Sequence, residues 1–202
     1  NVTLSTTNGA LAITAEDLDI SGTGITSGSA NTTITDSDGG GIGLGDTAST
    51  NGLDISVAEL TKITGTDVEL VSAGNITVDN VSAASTANIG GTLTLDGAAD
   101  VNFVTSATVT TNGLTVEADN QVDVDVAITT NAGNLSIDGD ANNAANTNDN
   151  VDIAAGLTLT AGGELTLDAS AGNVTGAGAL TLNAADGVTI NDDLTTAGIL
   201  TV

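Results

Sequence analysis

A short phrase, a turn residue followed by apolar–polar–apolar, returns every ~21 residues along almost the whole of this chain. It reads Gly9-Ala-Leu-Ala-Ile, Gly52-Leu-Asp-Ile, Gly74-Asn-Ile-Thr-Val, Gly91-Thr-Leu-Thr-Leu and Gly113-Leu-Thr-Val. It continues as Gly133-Asn-Leu-Ser-Ile, Gly156-Leu-Thr-Leu, Gly178-Ala-Leu-Thr-Leu and Gly198-Ile-Leu-Thr-Val, with a weaker copy at Asn31-Thr-Thr-Ile. The middle residues, Ala12, Thr33, Asp54, Thr77, Thr94, Thr115, Ser136, Thr158, Thr181 and Thr201, follow one another at nearly even steps. Self-similarity at a fixed period of this size marks a solenoid, in which each repeat buries its apolar face against the next.

Within each phrase apolar and polar residues alternate, the pattern of a strand with one buried face. Further short strands lie between the markers. Leu157 to Leu159, Leu165 to Leu167 and Val174 are followed one coil later by Leu180 to Leu182, Val188 to Ile190 and Leu194. Three short strands per coil predict an all-β fold, a parallel β-helix of nine to ten coils, with residues 1–202 forming a single β-solenoid segment. Inward Leu, Ile and Val then stack into aliphatic columns. That explains a chain with one aromatic residue, Phe103, and no Pro: internal strands must donate to both neighbours. Periodicity of this kind also excludes the disorder that high charge and few aromatics would otherwise indicate.

Composition removes several functions. With Lys62 the only basic residue against 26 acidic ones, the formal charge is −25 and phosphate backbones cannot be neutralised, so nucleic acid is excluded as a partner. No His or Cys is present, which rules out Ser-His-Asp and Cys-His catalysis and zinc sites built on those ligands. No apolar run approaches a membrane span. Both ends of the chain lie within strand-like sequence, so the expectation is a segment of something longer, continued by neighbouring coils or by self-association.

Residues 140–150, Asp-Ala-Asn-Asn-Ala-Ala-Asn-Thr-Asn-Asp-Asn, have no apolar pair and predict a protruding loop, and the glycine-rich stretch Gly39 to Gly45 is a second irregular point.

Four kinds of site present themselves. Asp and Asn in loops supply the oxygen ligands that calcium prefers. Asp36 and Asp38 precede a flexible glycine run, and Asp138 and Asp140 flank the loop, so these four are the candidate calcium ligands and calcium the one candidate cofactor. Asp123 and Asp125 share an outward face, as general acid–base chemistry requires. Polysaccharide-cleaving sites add cationic and aromatic residues that this chain lacks, and the expectation is that it is not an enzyme. The markers Thr77, Thr94, Thr115, Ser136, Thr158, Thr181 and Thr201 are expected to form one outward hydroxyl column, the kind of array seen on ice-binding β-helices. Asn1, Asn31, Asn75, Asn80, Asn134 and Asn173 each begin an Asn-x-Ser/Thr sequence, which a turn Asn before an outward Thr produces automatically.

Gly133-Asn-Leu-Ser-Ile, Ala161-Gly-Gly-Glu-Leu-Thr-Leu, Ala171-Gly-Asn-Val-Thr and Gly178-Ala-Leu-Thr-Leu-Asn-Ala-Ala-Asp-Gly-Val-Thr-Ile resemble the repeats of filamentous haemagglutinin-type proteins. These are large bacterial surface β-helices, usually exported by two-partner secretion. The resemblance implies an extracellular, cell-surface location and a structural role as a rod, fibre or coat, a filament or adhesin stalk, with the cell surface or other cells as partners. The alternative is a calcium-dependent adhesin or surface-layer module whose loops bind a partner, since surface-layer proteins have a similar acidic, Lys-poor composition.

Overall fold

A computed structural model of the chain describes residues 3–47, 52–104, 107–145 and 148–202. Among these the alternation of apolar and polar residues is realised as 24 short strands and one short helix. The strands, in chain order, are β1 (Thr3–Ser5), β2 (Leu11–Ala15), β3 (Gly24–Thr26), β4 (Thr32–Asp36), β5 (Ile42–Gly45) and β6 (Leu53–Ser56). Helix α1 (Val57–Leu60) precedes β7 (Ile63–Thr64), β8 (Val68–Ser72), β9 (Ile76–Asp79), β10 (Thr92–Gly97), β11 (Asp100–Phe103) and β12 (Val109–Thr111). There follow β13 (Gly113–Ala118), β14 (Gln121–Val124), β15 (Ile128–Thr130), β16 (Leu135–Asp138), β17 (Asn150–Ile153) and β18 (Leu157–Ala161). The last are β19 (Leu165–Asp168), β20 (Val174–Gly176), β21 (Leu180–Ala184), β22 (Val188–Ile190), β23 (Leu194–Thr196) and β24 (Leu200–Thr201).

The strand pairings are parallel throughout the described residues and join one coil to the next, so the chain is a parallel β-solenoid with three faces. The second face is the eight-stranded sheet β2-β4-β8-β10-β13-β16-β19-β22, and the third is the eight-stranded sheet β23-β20-β17-β14-β11-β9-β5-β6. The first face is carried by β1-β3-β7 and, further along, by β12-β15-β18-β21-β24. Between those two sheets residues 81–91 contribute only an isolated bridge, Gly65 to Ile89.

The aliphatic columns are in register. On the second face Ile34, Leu70, Leu95, Val116, Ile137 and Leu167 lie over one another on successive strands, all essentially inaccessible. On the third face Leu44, Val78, Phe103, Val124 and Ile153 do the same. Each such side chain contributes about 1.5–3 kcal/mol by leaving water. The three predicted strands of the coil beginning at Leu157, and those of the next, are β18 to β23.

Among the described residues each of the two long sheets has eight strands, while the first face runs through nine levels counting the Ile89 bridge, and the coils are unequal in length. On the second face the register steps from Leu11 to Thr32, from Leu93 to Leu114 and from Leu114 to Leu135, a short coil each time. It also steps from Thr32 to Val68 and from Leu135 to Leu165, and both of these coils are much longer. The coil from Thr32 to Val68 contains a strand that is out of order. The phrase around Asp54, which reads as its own coil, is β6, and it pairs on the outer side of β5, level with β2 in the first coil. Ser56 and Glu59 then form a capping box that starts α1, and Leu60 is fully buried. Glu59 Oε1 accepts from the Ile20 N–H at 3.0 Å, and the Lys62 ammonium donates to the Ile20 carbonyl. The one basic side chain of the sequence therefore ties the first coil to this folded-back segment.

The glycine-rich stretch contains strand β5. Its flanks need residues without Cβ: Gly41 has φ +103° and Gly45 φ +98°, and a Cβ at Gly45 would strike the Asp79 carbonyl on the next strand. The coil from Leu135 to Leu165 contains the acidic and Asn-rich loop. Among its described residues Asp140 and Asp149 are buried, residues 142–145 and 148 are exposed, and Asn150 already belongs to β17. Residues 146 and 147 of that expected loop lie outside the described residues, as does Asn1 of the Asn-x-Ser/Thr sequences.

Candidate functional site

The outward positions of the second face bring four carboxylates into one ladder. Asp96, Glu117, Asp138 and Asp168 are consecutive register partners on β10, β13, β16 and β19. Strand pairing sets their spacing at about 4.8 Å per step. The sequence produces this by repeating one phrase four times, apolar–Thr/Ser–apolar–acid: Leu93 to Asp96, Leu114 to Glu117, Leu135 to Asp138 and Leu165 to Asp168. At the C-terminal end the Asn191 amide donates to Asp168 Oδ2 at 3.0 Å.

The electrostatics follow from the stacking. Partial burial raises the Asp96 carboxyl above its ordinary range, and Glu69 and Asp119 add to the effect. Burial likewise raises Glu117, followed by repulsion from Asp96, Asp138 and Glu69. Asp138 is raised by burial and by Asp168, Asp140 and Asp119, against the opposing hydrogen bond from the Asp140 N–H. The third face handles its acids differently. Asn102, Asp123, Asp152 and Thr175 are register partners. Gln121 Nε2 donates to Asp152 Oδ2 at 3.1 Å, Thr175 Oγ1 also donates to Asp152, and the Asn120 amide donates to Asp100. There a pair of stacked carboxylates, Asp123 and Asp152, is bounded by an amide and a hydroxyl, whereas four rungs of the second face are carboxylate after carboxylate.

The four expected calcium ligands fall into two separate places. Asp36 lies on β4 and Asp138 on β16, four strand steps and therefore about 19 Å apart on the same sheet. Asp36 is buried. Its Oδ1 accepts from the Asp38 N–H at 3.3 Å, and its Oδ2 from the Gly41 N–H at 3.1 Å and Ser72 Oγ at 3.3 Å. Asp38 Oδ1 accepts from the Gly40 N–H at 2.9 Å. These carboxylates close the corner between β4 and β5. At the other place Asp138 Oδ1 accepts from the Asp140 N–H at 2.9 Å. Asp140 is fully buried; its Oδ2 accepts from the Ala171 N–H at 2.6 Å, and its Oδ1 has no hydrogen-bond partner. Among the described residues no three acidic side chains converge as a metal-binding group.

Asp123 lies on the outer side of β14, raised by burial first and then by Asp125, Asp152 and Asp100; Asp125 follows the strand and is exposed. The expected single hydroxyl column does not exist. Thr77 is on the third face, Thr94, Thr115 and Ser136 are on the second, and Thr158, Thr181 and Thr201 are on the first. The physical reason is coil length. Thr158 comes at the usual interval after Ser136, but the coil there runs on to Thr166, the true register partner of Ser136, so the phrase arrives one face early. Among the described residues no helix is long and apolar enough to cross a membrane.

No family model, curated protein or solved structure matches the chain.

Proposed function

We propose that the chain is a structural element of a bacterial cell surface: an extracellular β-solenoid of filamentous haemagglutinin type that builds a rod, fibre or coat. The observation that carries this reading is the continuity of the stacks. The aliphatic columns and the outward acidic and hydroxyl rows pass from strand to strand across the coils. Such an architecture is extended along one axis, because each coil touches only its neighbours. Electron microscopy and fibre diffraction of the native material test it. Rods with an axial spacing of ~4.8 Å are expected. Compact, isotropic particles without that spacing overturn it.

A second reading, a calcium-dependent adhesin or surface-layer module, is favoured by one observation. Asp140 is fully buried with Oδ1 unpartnered, beside the carboxylate ladder and at the base of the acidic loop. A cation held by oxygen atoms at this corner would satisfy that atom and relieve the ladder. Calcium titration followed by calorimetry tests it: saturable binding lost in Asp140→Asn supports the module, and no heat beyond ionic screening discards it.

A further inference from the structure

The acidic residues are distributed unevenly among the faces. Strands of the second face carry Asp36, Glu69, Asp96, Glu117, Asp138 and Asp168, and strands of the third carry Asp54, Asp79, Asp100, Asp123 and Asp152. The five strands of the first-face sheet read Val-Thr-Thr, Ile-Thr-Thr, Leu-Thr-Leu-Thr-Ala, Leu-Thr-Leu-Asn-Ala and Leu-Thr, with no charged residue at all. Their outward positions form two columns. One runs through Thr158, Thr181 and Thr201, and the other through Thr110, Thr129, Thr160 and Asn183. All of these side chains are at least partly exposed.

We propose that this uncharged threonine face is a self-association surface, whose occupant is the same face of a second copy of the chain. The inference rests on the structural-rod reading and names the contact by which such rods would pack side by side. Two molecules of charge −25 repel wherever their second or third faces meet, and a cationic partner would be drawn to those faces instead. On the first face approach brings no carboxylate against another. A second copy also carries the same columns at the same ~4.8 Å period, so methyl and hydroxyl rows can mesh at successive registers. Five strands of this width give a face of about 320 Å². A pair buries about 640 Å², below the ~1,200 Å² of stable complexes. Each contact is therefore weak, and it gains strength only when many act along a rod or layer.

Because the chain has no cysteine, a single introduced thiol reports such a weak contact. Thr129→Cys and Thr160→Cys place it on the first face, and Thr115→Cys on the acidic second face. Disulfide-linked dimers are measured under mild oxidation at low salt and at 1 M salt, where the screening length falls to about 3 Å. The expected result is several-fold faster cross-linking from the first face, still several-fold faster at 1 M salt, and reduced to the Thr115→Cys rate when Thr181→Asp is added. Circular dichroism confirms that each variant keeps its strand content. Equal first- and second-face rates at 1 M salt overturn the proposal, even where microscopy shows rods. A monomer that instead shapes growing ice crystals through this face assigns it to ice and also overturns the proposal.

Discussion

Glu117 lies directly over Asp138 in strand register, one coil apart, and the only basic residue of the chain is engaged elsewhere, on the Ile20 carbonyl. Like charges held opposite one another across a strand pair are destabilising, so this stack is a place where the fold works against itself. Replacing the middle of the ladder should therefore stabilise. Glu117→Gln is expected to raise stability at pH 7 by about 0.5 kcal/mol, a figure kept small because the side chain is partly solvated. Chemical denaturation checks it; a loss of stability would show that Glu117 holds a favourable partner.

The pH dependence has a definite sign. Asp96, Glu117, Asp123 and Asp138 all have folded-state values above their ordinary 3.8 or 4.5. A raised carboxyl favours the folded state when protonated. That contribution is complete below 3.8 for Asp and 4.5 for Glu, and it is lost as pH rises through the folded values. Acidification from neutral pH should thus raise the melting temperature, and Glu117→Gln should flatten the rise. A melting temperature that falls steadily from pH 7 to 5 would contradict it.

Strand facing predicts two neighbouring substitutions of opposite severity. Leu159 is fully buried on β18 and Thr158 beside it faces outward. Leu159→Asp places an unpaired carboxylate in an aliphatic column and should cost about 4 kcal/mol or more, where Thr158→Asp should cost less than about 1 kcal/mol. Thermal melts of the two variants decide the point.

Screening should matter more here than in a balanced protein. Removing divalent ions is expected to lower the melting temperature modestly, and monovalent salt to recover part of the loss. Recovery by calcium at an ionic strength where sodium is ineffective would point to a bound ion. Indifference to both would mean that the ladder is already relieved.

The tie between Ile20 and the folded-back segment should be local. Lys62→Met removes a charged donor from the Ile20 carbonyl and should cost about 1–2 kcal/mol. Hydrogen exchange should accelerate in residues 18–26 and leave residues 113–138 unchanged. A uniform acceleration would mean that the tie supports the whole solenoid.

The fold is readable because a single physical demand, an apolar residue at every second strand position, repeats through the chain and leaves its period in the sequence. What the period hides is coil length. Nothing in Gly52-Leu-Asp-Ile distinguishes a strand that begins a new coil from β6, which turns back beside β5. Pairing, not pattern, decides that. The same drift scatters the threonine markers over three faces. The acidic ladder is present as the fourth residue of the phrases at Leu93, Leu114, Leu135 and Leu165, but the hydroxyl two places earlier is the more regular marker and masks it. Asp36 and Asp38 are visible as acids beside glycines, and only the structure shows that their oxygens close a corner.

Strand β6 also constrains the order in which the molecule can be made. A solenoid can ordinarily add one coil at a time as the chain emerges. Here the position beside β5 at the level of β2 is filled by residues 53–56, so the first coil stays incomplete until its partner segment has been synthesised or exported. The short coils from Leu93 to Leu135 close short loops and have no such wait. Assembly should therefore begin beyond β6 and complete the coil of β2 late, leaving that coil open longest to proteases and to other chains.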